Sequence, residues 1–329
     1  MLNRTLTIEI ARVTEAAAIA ASAMRGRGDE RAAHERAVQA MHLALNKLSM
    51  SGRIVIGEGD AQGAAHLYHG EVLGDGGAQM DIAVAPLEGD TLTAKDMPGA
   101  LSVAALAERD SLLSVPGCYM DKIAIGGDYP DGLVDLDLPP AENLNRLAEA
   151  RGVPVEEITV CILDRPRHAR LIDDVREAGA AVRLITDGDI AGVIHVTEPE
   201  ETGIDIYMGS GGAPEGVLAA AALSCIGGQM QTRLVVRSRE DAAAIERAGI
   251  EDPERKFTLE DMVKGDVIFA ATGVTDGSML RGVRVRPGYV STNTVSMRAK
   301  SGTVRWSRAR RRIGGKSPAE LAAHGGTLS

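Results

Sequence analysis

Two carboxylates and a glycine follow a strand-like segment at residues 81–93 (DIAVAPLEGDTLT). The first half of this segment alternates in the manner of a strand, and Pro86 ends the ladder because proline has no N–H to donate. Glu88, Gly89 and Asp90 then lie where the chain leaves the sheet, a position at which α/β proteins concentrate their chemistry. The segment is a candidate metal or phosphate site, although Asp and Gly are also frequent in turns for backbone reasons alone.

Two more glutamates follow the same pattern. Glu58 comes directly after a short aliphatic strand predicted at residues 53–56, and Glu215 lies in the glycine-rich loop at residues 209–216 (GSGGAPEG), just before a helical segment. Exposed N–H groups at a helix start favour a phosphate, but glycine-rich turns before helices are also common without any ligand. Together with Glu88 they offer three hard oxygen ligands from separate strand ends, which suits Mg²⁺ or Mn²⁺.

Cationic groups for a phosphate come from a short motif after another predicted strand. Arg165 and Arg167 flank Pro166. Both guanidinium groups are therefore held near one strand end and could clamp a phosphate. Two exposed surface arginines are the alternative interpretation.

Groups suited to sugar hydroxyls occur at two places. Asp187-Gly188-Asp189 follows the next predicted strand and could accept hydrogen bonds from hydroxyls, whereas an Asx-type turn is the structural alternative. Tyr119 is a candidate sugar contact, although a tyrosine packed at a strand end is the commoner case. These groups converge only if their strands share one sheet with their ends on the same side.

Composition narrows the class of protein. The 329 residues suffice for two domains, and 44% are hydrophobic, as in ordinary globular proteins. The formal net charge of −10 disfavours nucleic-acid and anionic-membrane surfaces, and it requires a phosphate enzyme to gather cations locally. Without a signal peptide or membrane span in the pattern, we expect a cytoplasmic protein. The three cysteines predict neither a disulfide framework nor a zinc cluster; they are Cys118, Cys161 and Cys225.

The pattern of elements predicts an α/β protein that opens with two helices, at residues 8–24 and 30–48, with Asp29 as the N-cap of the second. A further helix is expected at residues 98–107, followed by a pair of strands at residues 111–115 and 119–125. Regular β/α alternation after residue 152 predicts a division into residues 1–152 and 153–329. The strands assigned to the second domain lie at residues 159–163, 182–185, 204–208, 267–271 and 292–297. The basic segment at residues 305–316 is expected to be a solvated tail, with anion binding as the alternative.

The segment at residues 81–93 resembles the Asp-Pro-Ile/Leu-Glu-Gly-Thr core of the class II fructose-1,6-bisphosphatases, which belong to the lithium-sensitive, metal-dependent sugar phosphatases. Further motifs of that family occur in the same order along nearly the whole chain. They are GRGD at residues 26–29, IVIGEG at 54–59, RPRH at 165–168, DGD at 187–189, GGAPEG at 211–216 and FAATGVTDG at 269–277. A general inositol phosphatase is less favoured, because RPRH and GGAPEG resemble the fructose-bisphosphatase branch.

The resemblance implies a layered αβαβα sandwich of two α/β subdomains with the site between them, and Mn²⁺- or Mg²⁺-dependent removal of the 1-phosphate of fructose 1,6-bisphosphate. Sedoheptulose 1,7-bisphosphate is a further expected substrate, and a homo-oligomer is usual for such enzymes. The resemblance places Glu58, Glu88 and Glu215 on the metals, and we expect Glu58 and Asp90 to be catalytic. The expected substrate-binding residues are Glu88, Gly89, Asp90, Tyr119, Arg165, Pro166, Arg167, Asp187, Gly188, Asp189 and Gly212.

The chain departs from the family pattern in the metal half of the site. A family aspartate on the second helix is His34 here, the leading Asp of the central turn is Ala85, and the water-positioning Thr is Asp90. Two hypotheses follow. Either His34 and Asp90 rebuild the metal cluster, with His34 as a ligand for Mn²⁺ or Zn²⁺, or the chain is a catalytically impaired paralogue that binds sugar phosphate or partners an active subunit.

Two histidines follow the IGEG motif, where the acidic Glu-Ala-Pro stretch of the family is replaced by residues 61–65 (AQGAA). His66 and His69 are three residues apart, a spacing that shares one face of a helix but not of the strand expected there. We therefore assign neither of them to a metal at this stage.

Overall fold

A computed structural model describes residues 2–313, which form ten α-helices and fourteen β-strands. The helices are α1 (Leu6–Ser22), α2 (Glu30–Leu45), α3 (Asp90–Ala94), α4 (Pro140–Arg151), α5 (Ala169–Glu177), α6 (Asp189–His195), α7 (Pro199–Thr202), α8 (Ala213–Ile226), α9 (Arg239–Arg247) and α10 (Leu259–Met262). The strands are β1 (Ser51–Ile56), β2 (Val72–Leu73), β3 (Gln79–Glu88), β4 (Leu101–Glu108), β5 (Tyr119–Ile125), β6 (Thr159–Leu163), β7 (Ala181–Ile185), β8 (Ile206–Gly212), β9 (Gln229–Val235), β10 (Phe257–Thr258), β11 (Val267–Gly273), β12 (Arg284–Arg286), β13 (Tyr289–Arg298) and β14 (Thr303–Arg312).

The first compact unit comprises residues 2–112 and 264–313. Its eight-stranded sheet has the order β12-β13-β11-β4-β3-β1-β2, and β14 pairs with β13. Helix α1 packs on β4, β11 and β13 and also contacts α2. Alanines fill much of this core, including Ala17, Ala104 and Ala270, so a chain with 2% aromatic residues builds its interior by close approach of small side chains.

The second compact unit comprises residues 113–263. Its six-stranded sheet has the order β10-β9-β5-β8-β6-β7. Strands β6 and β7 are parallel to each other, and β6 is parallel to β8, whereas β5 is antiparallel to both β8 and β9. Leu144 of α4 and Val175 of α5 are buried in one aliphatic core with Ile123, Val160 and Ile206 from the sheet.

The predicted α/β class is confirmed by these two sheets and their helices. The two opening helices are also confirmed, and the Asp29 side chain accepts a hydrogen bond from the Ala32 N–H at 2.9 Å, as expected of an N-cap. Among residues 2–313, none of the helices has both the length and the apolar character needed to cross a bilayer.

Two local predictions are wrong. The helix expected at residues 98–107 is strand β4, which lies between β3 and β11 and is buried along nearly its whole length; burial on both faces removes the alternation that would have identified a strand. The strand expected at residues 111–115 is irregular, because the N–H groups of Ser111 and Leu112 donate to the buried carboxylate of Asp81 (3.0 and 3.4 Å).

The division into units differs from the predicted boundary at residue 152, which falls inside the second unit between α4 and β6. Strands β11 and β13 were expected in the second domain, but β11 pairs with β4 and β13 pairs with β11 in the sheet of the first unit. The chain therefore returns to its first sheet after completing the second. Such pairing between distant segments leaves no local trace in the sequence.

The basic segment at residues 305–316 is not a tail over the part that the structure describes. Residues up to Arg312 belong to β14, which pairs with β13 along its full length. Residues 314–316 lie outside the described residues. Exposed arginines along β14 are typical of the charge that protects sheet edges from pairing with another chain.

Helix α1 offers a matched pair of isoleucines for testing this packing. Ile10 is fully buried, whereas Ile8 is 62% exposed. Replacing Ile10 by Ala should lower the free energy of unfolding by about 2–5 kcal/mol because it leaves a cavity, whereas Ile8→Ala should change it by less than about 0.5 kcal/mol. Urea unfolding followed by circular dichroism measures both, and equal shifts in the two variants would contradict this packing of α1.

Candidate functional site

In the first unit, three predicted site residues meet although they come from separate elements. His34 lies on α2, Glu58 follows β1, and Asp90 is the first residue of α3. The Glu58 backbone N–H donates to the carbonyl of Leu67 (2.8 Å), which fixes the turn after β1. Gly89, immediately before Asp90, has φ of +96°, a left-handed conformation that glycine adopts without strain.

The imidazole of His34 bridges the two carboxylates. Its Nδ1 lies 3.1 Å from Asp90 Oδ1, and its Nε2 lies 2.5 Å from Glu58 Oε2. Both ring nitrogens therefore face an acceptor, and only the imidazolium can donate to both. Hydrogen bonds to Asp90 and Glu58 outweigh the effect of burial and raise the pKa of His34 to about 10.

Glu88 and Ala85 lie on the same strand with different surroundings. Glu88 ends β3 and is buried. The strand therefore runs through Pro86, which was expected to end it, and this prediction is wrong. The register of β3 against β4 shifts between Ala85 and Glu88, so the strand is irregular just before its glutamate. Ala85 is half-buried and supplies no ligand atom at the position where the family pattern has an aspartate.

The donor chemistry of this cluster fits a divalent cation. Glu58, Asp90 and the nearby strand end at Glu88 offer carboxylate oxygens. Glu58 and Asp90 are both paired with the imidazolium of His34, so their negative charges favour a cation between them. His34 now supplies that charge. Within residues 2–313 these groups do not form a trio whose ligand atoms all lie within 4.8 Å of one another; a trio of that spacing is formed by His42, His66 and Glu71.

In the second unit, Arg167 is held by both a carbonyl and an aromatic ring. Its Nε and Nη2 donate to the Ser210 carbonyl (2.9 and 2.7 Å), and its guanidinium lies 4.8 Å from the centre of the Tyr119 ring. The guanidinium of Arg237 lies 3.9 Å from the centre of that ring. Tyr119 is thus associated with two cations. Arg237 was not predicted, because nothing local in the sequence marks it.

His168 is hydrogen-bonded both to the end of β6, which precedes the arginine motif, and to the glycine-rich loop at residues 209–216. The Ser210 N–H donates to Nε2 (2.8 Å), so Nδ1 carries the proton and donates to the Leu163 carbonyl (2.7 Å). The side chain is 3% exposed. His168 is a positioning residue that the sequence analysis did not assign, although it lies in the RPRH motif.

The DGD turn contains two aspartates in different surroundings. Asp187 is half-buried, and its Oδ1 lies 3.9 Å from Arg165 Nη2. Asp189, the first residue of α6, is buried, and its carboxylate accepts hydrogen bonds from Lys122 Nζ and Tyr207 Oη. This buried ion pair fixes the start of α6 and with it the preceding Gly188. Lys122 and Tyr207 are two further residues that the sequence analysis missed.

Glu215 and Gly212 are brought together at the start of α8. Glu215 lies in the first turn of the helix, after the proline that begins it. A Cβ atom added at Gly212 would collide with the Glu215 carboxylate, so a larger residue there would force the glutamate side chain to move. Pro166 begins the short 3₁₀ turn Pro166–His168, which follows Arg165 and contains Arg167.

The pKa of His34 predicts how the stability of the metal-free protein depends on pH. The folded-state pKa, about 10, exceeds the ordinary value of 6.5, so this residue's stabilising contribution is complete below pH 6.5 and is lost as pH rises through 10. His34→Gln should remove that contribution. The difference in free energy of unfolding between wild type and variant, measured in urea, should shrink from pH 6 to pH 10, and parallel pH profiles would contradict the bridge.

Comparisons with known proteins agree with the motif resemblance. The family described as "Bacterial fructose-1,6-bisphosphatase, glpX-encoded" matches residues 4–311. A fructose-1,6-bisphosphatase class 2 of Haemophilus influenzae is 41% identical over 318 residues, covering 92% of this chain and 95% of the relative. A D-fructose 1,6-bisphosphatase class 2/sedoheptulose 1,7-bisphosphatase of Synechococcus sp. (strain JA-3-3Ab) is also 41% identical, covering 93% and 95%. The predicted resemblance is confirmed, and the chain belongs to the bacterial, glpX-encoded fructose-1,6-bisphosphatase family.

Proposed function

We propose that this protein is a phosphatase that removes the 1-phosphate of fructose 1,6-bisphosphate and releases fructose 6-phosphate. The observation that carries the proposal in this chain is the contact of His34 with Glu58 and Asp90. The family pattern has an aspartate where His34 stands and a threonine where Asp90 stands. His34 contacts both Asp90 and Glu58, which corresponds to a metal ligand of the family. The two departures from the family pattern therefore lie in one cluster with that ligand.

The family requires a divalent metal, and we propose Mn²⁺ or Mg²⁺. Glu58, Glu88, Glu215 and His34 are the proposed ligands, and Asp90 contacts His34. When bound, such ions supply a nucleophilic water and neutralise the charge on the phosphoryl oxygens. Oxygen donors suit both ions, and an imidazole nitrogen among them favours Mn²⁺ over Mg²⁺.

The chain's own residues supply the acid–base and charge balance of the cluster. In the metal-free protein the raised pKa makes His34 an imidazolium at neutral pH, and it donates to Glu58 and Asp90. To serve as a metal ligand it would give up one ring proton, because a protonated ring nitrogen has no lone pair for a metal. Asp90 is the proposed partner for the attacking water, in place of the family threonine. A carboxylate at this position can accept a proton from that water, which a threonine hydroxyl can only orient.

Substrate binding is assigned to the polar groups of the second unit, together with Glu88, Gly89 and Asp90. Arg165 and Arg167 suit the phosphate that is retained, since a guanidinium binds phosphate oxygens in bidentate fashion. Tyr119, Asp187, Gly188, Asp189 and Gly212 are the proposed sugar contacts. Asp189 is also bonded to Lys122 and Tyr207, so in addition it holds the turn that presents Asp187. We propose sedoheptulose 1,7-bisphosphate as a second substrate. The expected homo-oligomeric state is a separate prediction.

The direct test is phosphate release from fructose 1,6-bisphosphate by metal-stripped protein, titrated with Mn²⁺, Mg²⁺ and Zn²⁺. Turnover that depends on one of these ions is expected, with fructose 6-phosphate as the product. Absence of phosphate release from both bisphosphates with all three ions would overturn the proposal.

A matched pair of acidic residues tests the assignment of Glu58. Glu58→Gln should lower kcat/KM at least ~100-fold, because even groups behind metal ligands contribute 10–100-fold. Asp60, two residues later, is exposed and accepts hydrogen bonds from the N–H groups of Gln62 and Gly63. Asp60→Asn retains an oxygen for those bonds and should keep wild-type kinetics. Equal losses in the two variants would argue against Glu58 as a ligand.

Arg165 and Arg170 form a second matched pair. Arg165→Ala should raise KM for fructose 1,6-bisphosphate about 10–100-fold through loss of charge-assisted hydrogen bonds worth ~1.5–3 kcal/mol. The Arg170 side chain is 93% exposed on α5, so Arg170→Ala should leave KM unchanged. A KM that is insensitive to Arg165→Ala would remove this residue from the phosphate site.

A catalytically impaired paralogue that binds sugar phosphate, or partners an active subunit, is the second candidate function. Ala85 favours it, because a methyl group cannot bridge metals. On this hypothesis wild-type protein binds fructose 6-phosphate in calorimetry without hydrolysing the bisphosphate, and the double variant Ala85→Asp/His34→Asp gains activity. A double variant that stays inactive would exclude missing metal ligands as the cause.

A further inference from the structure

A second cluster of metal-binding side chains lies in the first unit and shares no residue with the proposed catalytic cluster. His42 is in the last turn of α2, whereas His66 and Glu71 belong to the segment between β1 and β2. One ligand atom from each of the three lies within 4.8 Å of the other two. The three side chains are half-buried, so the cluster is partly shielded from solvent and still accessible to an ion.

The contacts within the cluster bring these donors together. His42 Nε2 lies 3.1 Å from Glu71 Oε1. The rings of His42 and His66 are stacked, with centroids 4.0 Å apart and planes inclined by 22°. Ligand atoms bound to one tetrahedral ion stand about 3.4 Å apart, as follows from metal–ligand bonds of ~2.0–2.1 Å. Because an ion lies in the plane of each imidazole that binds it, the stacked rings of His42 and His66 must rotate out of parallel to share one ion.

A hydrogen bond behind the cluster orients Glu71. The second carboxylate oxygen of Glu71 accepts the Leu67 N–H at 2.5 Å, which leaves Oε1 directed at His42. The Asn46 side-chain nitrogen lies 3.2 Å from His42 Nε2, the same atom that faces Glu71, so a bound ion would replace this contact. A hydrogen bond behind a ligand, such as the one from Leu67 to Glu71, is typical of metal sites, where it fixes the orientation of the ligand.

We propose that His42, His66 and Glu71 bind one divalent transition-metal ion of the Zn²⁺ type. Two imidazoles and one carboxylate match the borderline-soft character of Zn²⁺ and Co²⁺, whereas the oxygen-rich catalytic cluster matches harder ions. Three protein ligands leave a position for water. The site is independent of the proposed function, because none of its residues has a role there.

The ion would fasten the segment at residues 57–71 to α2. That segment begins next to Glu58, and it is tied back on itself by the Glu58 N–H to the Leu67 carbonyl and by the His69 N–H to the Gly59 carbonyl, both at 2.8 Å. A metal crosslink adds a contact to a different element. It should therefore stabilise the fold and hold the turn that presents Glu58.

Direct metal binding tests the proposal. Metal-stripped protein is titrated with Co²⁺ followed by visible absorption, and with Zn²⁺ followed by calorimetry. We expect a tight site with a tetrahedral Co²⁺ spectrum in wild type. His66→Ala should lose that spectrum and one Zn²⁺ equivalent, with an affinity at least ~100-fold lower. Glu71→Gln keeps an oxygen for the Leu67 N–H and should also weaken the site.

His69→Ala is the matched control. His69 lies three residues from His66 in the same segment, is exposed, and bonds through Nδ1 to the Val55 carbonyl (3.0 Å); its variant should retain the Co²⁺ spectrum. Glu58→Gln should retain it too, which separates this site from the catalytic cluster. Circular dichroism verifies the fold of each variant. Equal Zn²⁺ stoichiometry and affinity in wild type and His66→Ala would overturn the proposal, whatever the outcome of the phosphatase assay.

Discussion

Carboxylates gathered at the ends of neighbouring strands repel one another unless a cation lies among them, and this constraint shapes the first unit. His34 supplies the cation by donating to Glu58 and Asp90 from opposite sides of its ring. The arrangement ties α2, the turn after β1 and the start of α3 to one charge. It also explains why a histidine is tolerated where the family pattern has an aspartate, since the carboxylate that is lost on α2 is regained at Asp90.

The second unit satisfies the same constraint with a lysine. Lys122 is almost completely buried, and its ammonium group pairs with Asp189, which also accepts from Tyr207. Removing either charge would leave the other buried without compensation, which is far more costly than the net value of such a pair. The pair thereby fixes the turn at Gly188, while His168 and Arg167 both bond to Ser210 and fix the glycine loop. Groups proposed to bind substrate are thus held partly by one another and partly by Lys122, Tyr207 and His168, which have no proposed substrate contact.

The cluster of His42, His66 and Glu71 shows how a second group of ligands can arise in the same unit as the first. Helix α2 carries His34 near its start and His42 in its last turn, so one helix contributes to both clusters. The segment at residues 57–71 likewise carries Glu58 at one end and Glu71 at the other. Oxygen donors dominate the first cluster and imidazoles the second, and this difference in softness allows two kinds of ion to be distinguished within one unit.

The sequence by itself determined the α/β class, the two opening helices, the Asp29 cap and the strand end that precedes Glu58, because these follow from local patterns of hydrophobicity and from turn chemistry. Only the tertiary structure decided that residues 101–108 form a central strand, that β11 and β13 return to the first sheet, and that His34 meets Asp90 and His42 meets Glu71. Each of these contacts joins segments far apart in the chain. Their energy appears only when the sheet and α2 have assembled, so no local pattern encodes them.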